Sequence, residues 1–263
     1  MSFKKISMIG AGVMGEALIA ALIKAGHAPE HIEILEKRPD RAQELCERYG
    51  IKLGSELSDS QVLLLVVKPQ DLVALLEEIK SQISSDTLII SFVAGKKIAT
   101  ISTALGGANP IVRVMPNTPA LVGKGAAGYS FNAQVSDHQK SFVIDLLNAA
   151  GKAVEVTEDL QDAVTATSGS GPAYFFAFVE AMVKGAKELG LSESDANELV
   201  VQTLIGAAEL LATTGKSATT LRENVTSPNG TTFAALQSFA KDDLEKVVAR
   251  AMKAARDRSI ELS

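Results

Sequence analysis

Phe3-Lys4-Lys5-Ile6-Ser7-Met8-Ile9-Gly10-Ala11-Gly12-Val13-Met14-Gly15 is the stretch that decides the fold. Phe3 to Ile9 is a short, mainly apolar run that stops at a glycine, as a buried strand does. From Glu16 to Ala25, small apolar residues recur at helical spacing until Gly26 ends the pattern. Between strand and helix lies Gly10-x-Gly12-x-x-Gly15. In that context the pattern is a dinucleotide-binding fingerprint rather than a chance run of glycines. Gly10 permits the tight turn, Gly12 lets a pyrophosphate approach the backbone, and Gly15 lets helix and strand pack closely.

The same alternation continues downstream. Strands are expected at Ile32–Leu35, Val62–Val67, Leu88–Val93, Ile111–Met115, Gly125–Phe131 and Ala153–Val156. Helices are expected at about Pro39–Tyr49, Asp71–Ile83, Ile98–Leu105 and Asp137–Ala149. Val62–Val67 is apolar throughout, as suits a parallel strand covered on both faces. Alternating strands and helices specify a doubly wound α/β sheet of the Rossmann type. Beyond about Thr157 no strand is expected. Ser168-Gly169-Ser170-Gly171-Pro172 reads as punctuation. Ala173 to Val183 is apolar on every face but for Glu180, so it belongs inside a core or an interface. Ser192 and Asp195 have the spacing of a helix start for a helix to about Thr213. Ala218 to Asn224 and two C-terminal segments complete an all-helical half. The expected domains are therefore 1–158, binding a dinucleotide, and 159–263, helical.

Composition narrows the function. The 263 residues are 46% hydrophobic and 22% charged, which is ordinary for a globular protein. The net charge is −5 with no basic block, so no nucleic-acid partner is expected. Cys46 is the single cysteine, and His27, His31 and His138 make no ligand pattern, so no metal site is expected. No signal-peptide core or long apolar span is found, so the expectation is a cytoplasmic protein with no membrane partner.

At the end of the second strand the signals conflict. Glu36 is placed to bind a ribose 2′-hydroxyl and favour NAD. Lys37 and Arg38 follow at once, with Arg41 nearby, and cations there suit the 2′-phosphate of NADP. The balance favours NADPH, with NADH possible. Lys68-Pro69, Phe92 to Gly95 and Met115 to Ala120 lie at the ends of other strands, the edge where such sheets bind ligands.

The helical half carries Val225-Thr226-Ser227-Pro228-Asn229-Gly230-Thr231-Thr232-Phe233. Ser before Pro reads as a helix start, and a helix start suits a carboxylate. Thr231 and Thr232 are the candidate catalytic hydroxyls. No general base is placed by motif. β-Hydroxyacid dehydrogenases share the two-domain plan and carry a catalytic Lys shortly after the matching glycines. Tyr174, Phe175 and Phe176 stand there in this chain. An imine, already electrophilic when protonated, fits better than an alcohol.

Met115–Ala120, Ser168–Tyr174 and Glu223–Thr232, in this order after the glycine fingerprint, resemble the pyrroline-5-carboxylate reductase family over essentially the whole chain. The resemblance implies reduction of L-1-pyrroline-5-carboxylate to L-proline with NADPH or NADH. It also implies a homodimer through the helical half, often assembled as a homodecamer. It implies cofactor contacts at Gly10, Ala11, Gly12, Val13, Met14, Gly15, Lys37, Arg38, Val66, Lys68, Pro69, Phe92, Ala94, Asn117 and Asn224. Implied substrate contacts are Glu158, Ser227, Gly230, Thr231 and Thr232, with Thr232 facing the ring nitrogen. Asn229 replaces a usual glycine, and Asn best tolerates glycine-like backbone angles. Two alternatives stay open: a reductase of a related cyclic imino acid, and a non-catalytic NADP-binding regulatory protein.

Overall fold

The computed structural model describes residues 3–262. The N-terminal elements are β1 (Ile6–Ile9), α1 (Val13–Lys24), β2 (Ile32–Leu35), α2 (Pro39–Tyr49), β3 (Lys52–Leu53), β4 (Val62–Leu65), α3 (Leu72–Ile79), β5 (Leu88–Ser91), α4 (Ile98–Leu105), β6 (Ile111–Met115), β7 (Gly125–Phe131), α5 (Asp137–Ala150) and β8 (Gly151–Glu155). They form one eight-stranded sheet in the order β3-β2-β1-β4-β5-β6-β7-β8. Successive strands lie first on one side of β1 and then on the other, so the order reverses between β1 and β4. That crevice is where doubly wound sheets bind ligands.

Residue alternation along the strands fills two cores. Ile6, Met8, Val62 and Leu64 point to the face covered by α1, α2 and α5. Ile9, Leu63 and Leu65 point to the face covered by α3 and α4. The β-branched and Leu-rich run at β4 is thus apolar on both sides because both sides are covered.

Several expected elements take a different form. The strand register ends at Leu65 in β4 and at Ser91 in β5; Val66 and Phe92 add one further backbone bond each, to Ile9 and Leu65, before the chain leaves the sheet. The Asp71–Ile83 helix is regular only over α3, with tighter 3-10 turns at Pro69–Asp71 and Lys80–Gln82. The two-residue β3 is too short to show periodicity. β7 runs antiparallel to β6, because only residues 116–124 connect them and a parallel crossover needs a longer link.

Further on lie α6 (Gln161–Val164), a π-helical turn (Thr165–Gly169), α7 (Gly171–Glu188), α8 (Glu193–Thr213), α9 (Ala218–Asn224), α10 (Thr231–Lys241) and α11 (Leu244–Glu261). The Ser-Gly-Ser-Gly stretch is no break in the chain. A widened turn bridges α6 and α7, with the Ser170 N–H donating to the Thr165 carbonyl at 2.8 Å. Gly169 leaves room for the end of the Met115 side chain, whose Cε would lie 2.6 Å from a Cβ there.

The chain divides into two compact units, Met1–Pro172 with Ala255–Ser263, and Ala173–Ala254. Residues 159–172 pack with the sheet through buried Gln161, whose amide donates to Ser130 Oγ at 2.9 Å. The C-terminal residues return to the same unit, where Ser259 Oγ donates to Asp162 at 2.7 Å. Taken by itself, the second unit has almost no core. Its only buried residues are Ala196 and Val200. Phe175 and Phe176 on α7 are each 60% exposed, so this apolar helix is not enclosed within its own chain. No helix among the described residues is long and apolar enough to cross a membrane.

Leu64 is fully buried in the central strand, so Leu64→Ala is expected to lower unfolding free energy by about 2–5 kcal/mol in urea denaturation.

Candidate functional site

The nucleotide half of the site is built by three glycines with three different jobs. Gly10 ends β1 with φ +89°, and a Cβ there would meet the Val66 carbonyl oxygen at 2.5 Å. Two strand ends meet at this point, and only glycine allows it. Gly15 lies on α1, where a Cβ would sit 2.6 Å from the Gly10 carbonyl oxygen. Gly12 differs from both: a Cβ would find nothing within 4 Å. The protein itself does not need that space, so it is open to a ligand approaching the backbone. Gly12 is also the N-cap of α1, with no side-chain hydrogen bond to the helix start. The first-turn N–H groups therefore face outward with a partial positive charge. Val13 at this start is 61% exposed, while Met14 packs against the core. These residues fit the pyrophosphate of a dinucleotide.

Ala11 is occupied differently. Its N–H donates to Glu36 Oε2 at 2.8 Å, and its carbonyl accepts from Arg41 Nε at 3.2 Å. Glu36 Oε1 accepts from both the backbone N–H and Nε of Arg38, each at 3.1 Å. Burial raises the pKa of the Glu36 carboxyl, but the hydrogen bonds from Arg38 and Ala11 outweigh it and hold the group below its usual range. It is an anion at neutral pH. Arg41 also binds Glu16 and Glu44, so this cation belongs to the scaffold. Lys37 is exposed and has no ion-pair partner among the described residues. Arg38, 59% exposed along its side chain, is held only through Glu36.

The other strand-end residues divide by environment. Val66 is half-buried and takes part through its carbonyl against Gly10. Lys68 is exposed and precedes the Pro69–Asp71 turn, with the Asp71 N–H donating to its carbonyl at 3.0 Å. Phe92 is buried in the core and Ala94 half-buried, so only their backbone lies along the edge. The Asn117 amide joins its own neighbours: it donates to the Ser168 carbonyl at 3.0 Å and accepts from the Ala126 N–H at 2.8 Å. Glu158 accepts from the Ile98 N–H at 2.6 Å, completing the first turn of α4, and lies 3.5 Å from buried Arg113. Arg113 in turn faces Asp162 at 3.7 Å. Arg41, read from sequence as a cation near the 2′-phosphate position, is instead engaged by the scaffold; Arg113 and Asp162 are not marked by the sequence, because a guanidinium in a strand or an acid in a helical pattern reads as ordinary surface charge.

The second unit, taken by itself, carries the loop with the expected substrate residues. Ser227-Pro228 does not start a helix, as the sequence suggested. Ser227 to Gly230 forms a turn, closed by the Gly230 N–H donating to the Ser227 carbonyl at 3.0 Å. Asn229 takes φ +58° at the third position of the turn, as in turns of type II, where Pro is common at the second. Helix α10 begins one step later, with Gly230 as N-cap and no side-chain cap. A Cβ on Gly230 would lie 2.3 Å from Ser227 Oγ. Thr231 is exposed and Thr232 half-buried on the first turn, and neither hydroxyl has a hydrogen-bond partner among the described residues. Asn224 is the exposed last residue of α9. The turn thus presents free N–H groups beside two unengaged hydroxyls, a set that can bind a carboxylate and donate a proton.

Comparison with known proteins agrees over both halves. Residues 158–262 match the family described as pyrroline-5-carboxylate reductase dimerisation. Residues 5–95 match the family described as NADP oxidoreductase, coenzyme F420-dependent. A pyrroline-5-carboxylate reductase of Corynebacterium melassecola is 40% identical, covering 98% of this chain and 98% of that protein. The structure of a pyrroline-5-carboxylate reductase from Coxiella burnetii superposes with a TM-score of 0.93 at 34% identity, over 100% of this chain and 99% of that one. A Plasmodium falciparum pyrroline carboxylate reductase crystallised with NADP bound gives 0.87 at 30% identity, over 99% of each chain.

Gly12 and Gly10 separate ligand space from backbone need. Gly12→Val is expected to weaken dinucleotide binding in a fluorescence titration while the melting temperature stays near wild type. Gly10→Ala is expected to lower both.

Proposed function

The chain belongs to the pyrroline-5-carboxylate reductase family, and from that premise we propose that it reduces L-1-pyrroline-5-carboxylate to L-proline, the last step of proline biosynthesis. NADPH is the proposed cofactor, with NADH also accepted. Residues 1–158 hold the dinucleotide, and residues 159–263 bind the substrate and the second subunit. The protein acts in the cytoplasm.

The observation that supports this reading best is the first turn of α10. Its uncapped N–H groups at Thr231 and Thr232, beside the turn that Gly230 closes, offer the substrate carboxylate a site with partial positive charge. Ser227 adds a hydroxyl from the preceding turn. Thr232 directs a proton to the ring nitrogen, itself or through water, and Thr231 stands beside it. When bound, the reduced nicotinamide supplies a hydride to the C=N carbon. The glycine loop binds its pyrophosphate, with Lys37, Arg38 and Lys68 along the rim. Glu158 orders the turn before α4 through Ile98, so its share in substrate binding is through placement of that turn. Phe175 and Phe176 in place of a lysine leave no base for an alcohol, which favours the imine.

Oxidation of NADPH by DL-1-pyrroline-5-carboxylate, followed by absorbance, tests this directly. Activity with neither NADPH nor NADH would remove the proposal. Thr232→Ala is expected to lower kcat about 10- to 1,000-fold, the range for loss of a proton donor or a positioned transition-state contact, with cofactor affinity kept.

The second unit is proposed to complete its core against another copy of the chain. Phe175, Phe176, Leu199 and Ile205 are all more than half exposed, and exposed apolar surface on this scale marks an interface. A homodimer, or a decamer of five dimers, is expected in light scattering. A monomer at micromolar concentration would contradict it.

A further inference from the structure

We propose that Arg113 is a positioning residue for the reaction: its buried guanidinium, shared by Glu158 and Asp162, fixes the loop between β5 and α4 through both of that loop's supports, the start of α4 and the end of α11. The hydride step rests on the reading above; the anchoring of the loop does not. Arg113 is a charge where a covered sheet has little use for one. It stands in β6 between β5 and β7, and its side chain is only 4% exposed. Its neighbours in register are Ser91 and Ser130, both buried. Two residues earlier on the same face, Ile89 and Ile111 pack in an apolar core. A guanidinium keeps its charge when buried, and an apolar side chain of similar volume is often as stable in its place. Stability alone therefore does not account for Arg113, and its use lies in what it holds.

It holds two carboxylates. Nη1 lies 3.5 Å from Glu158 Oε1 and Nη2 lies 3.7 Å from Asp162 Oδ1. Each of those oxygens makes a shorter contact elsewhere. Glu158 Oε1 accepts from the Ile98 N–H at 2.6 Å, at the start of α4. Asp162 Oδ1 accepts from Ser259 Oγ at 2.7 Å, near the end of α11. α6, which carries Asp162, is also tied to β6, because the buried Gln161 amide donates to the Arg113 carbonyl at 3.4 Å. Between β5 and α4 the chain turns at Gly95, with φ +73°. A Cβ there would lie 3.2 Å from the Leu262 carbonyl oxygen, so the end of α11 backs this turn. The two supports of the loop thus lead to one cation. Without it, two anions would face a poorly hydrated space, and each would gain by turning toward water. Ile98 and Ser259 would then lose their acceptors. Phe92 and Ala94 meet the ligand edge through backbone, so the path of this loop is what a nicotinamide would rest on.

Arg113→Met keeps the length of the side chain without its charge. In the full-length protein, hydrogen exchange read by mass spectrometry is expected to quicken about tenfold in peptides covering residues 94–101 and 258–262, and to stay unchanged in the rest of the sheet. kcat for NADPH oxidation is expected to fall about 10- to 100-fold, the scale for a reacting group displaced by ~1 Å, while ADP binds as tightly as before. The deuterium isotope effect on kcat with NADPH labelled at C4 is expected to rise, because a misplaced ring slows hydride transfer and not product release. Adding Glu158→Gln to Arg113→Met is expected to cost little more than Arg113→Met alone, as for residues that act through one contact. Arg113→Lys keeps the charge but not the fork that spans two carboxylates, so a partial loss of kcat with faster exchange over residues 94–101 is expected. That variant carries the test if Arg113→Met does not fold. Wild-type exchange and kcat in the folded variant, exchange quickened equally across the whole sheet, or losses from Arg113 and Glu158 that multiply independently would each overturn the proposal. Absence of turnover in the wild-type protein would defeat the proposed reaction, and the exchange measurement would still decide whether Arg113 anchors the loop.

Discussion

The contact between two strand ends at Gly10 governs the N-terminal half. β1 and β4 are neighbours in the sheet, yet the chain leaves them in opposite directions. Their ends come so close that a Cβ on Gly10 would lie 2.5 Å from the Val66 carbonyl. That approach opens the crevice, aims α1 across it and leaves Gly12 at the helix start with open space around it. The same closeness fixes where the ligand cannot go, since Ala11 is tied to Glu36 and Arg41. The backbone left open to a pyrophosphate is that of Gly12 and Val13. Fold and binding are linked here by one missing methyl group.

The sheet was legible in the sequence because its constraints are local and repeated. Buried parallel strands require unbroken apolar runs, and helices between them require periodic ones. What local pattern does not encode depends on long-range contact. β3 pairs for two residues and has no pattern of its own. The reversed direction of β7 is set by the length of a connection, not by composition. The π-helical turn at Thr165–Gly169 looked like a break, since Ser and Gly usually interrupt helices. Here Thr165 and Ser168 hydroxyls donate to carbonyls four residues back, and Asn117 binds the Ser168 carbonyl, so the turn is stabilised from outside its own sequence. At the site, the glycine roles could be read from spacing, and the left-handed Asn229 from its residue type. The start of α10 was misplaced because Ser-Pro satisfies the rule for a helix start as well as the rule for a turn. Closure of that turn by the Gly230 N–H decides between them.

The two units solve different stability problems. The first buries two apolar layers, one on each face of its sheet, and can be understood as a closed core. The second, taken by itself, has long helices and only two buried residues. Helix propensity alone does not hold such an arrangement in water. Its apolar residues are too many and too contiguous along α7 and α8 to be incidental exposure. The match of residues 158–262 to a dimerisation family fits a partner surface that supplies this burial, and we propose that subunit association and the geometry of the loop are coupled in this way. The loop stands between α9 and α10, where the ordering of both helices fixes its geometry.

That coupling clarifies why so few ionisable groups are needed for the chemistry. A carboxylate at an uncapped helix start meets several N–H dipoles already oriented, and no side chain has to change its protonation state to bind it. Fixed dipoles work only if they do not reorient, which is what the tight turn ensures. Gly230 packs so closely on Ser227 that a Cβ would sit 2.3 Å from its hydroxyl, and Asn229 holds the angle that brings the two together. A hydroxy acid would require a base at the glycine-rich start of α7, where this chain has aromatic rings. An imine carries its electrophilic character with it and requires mainly orientation and one mobile proton. The loop offers those two things and little else, and this restriction is the physical argument for an imino acid as the substrate.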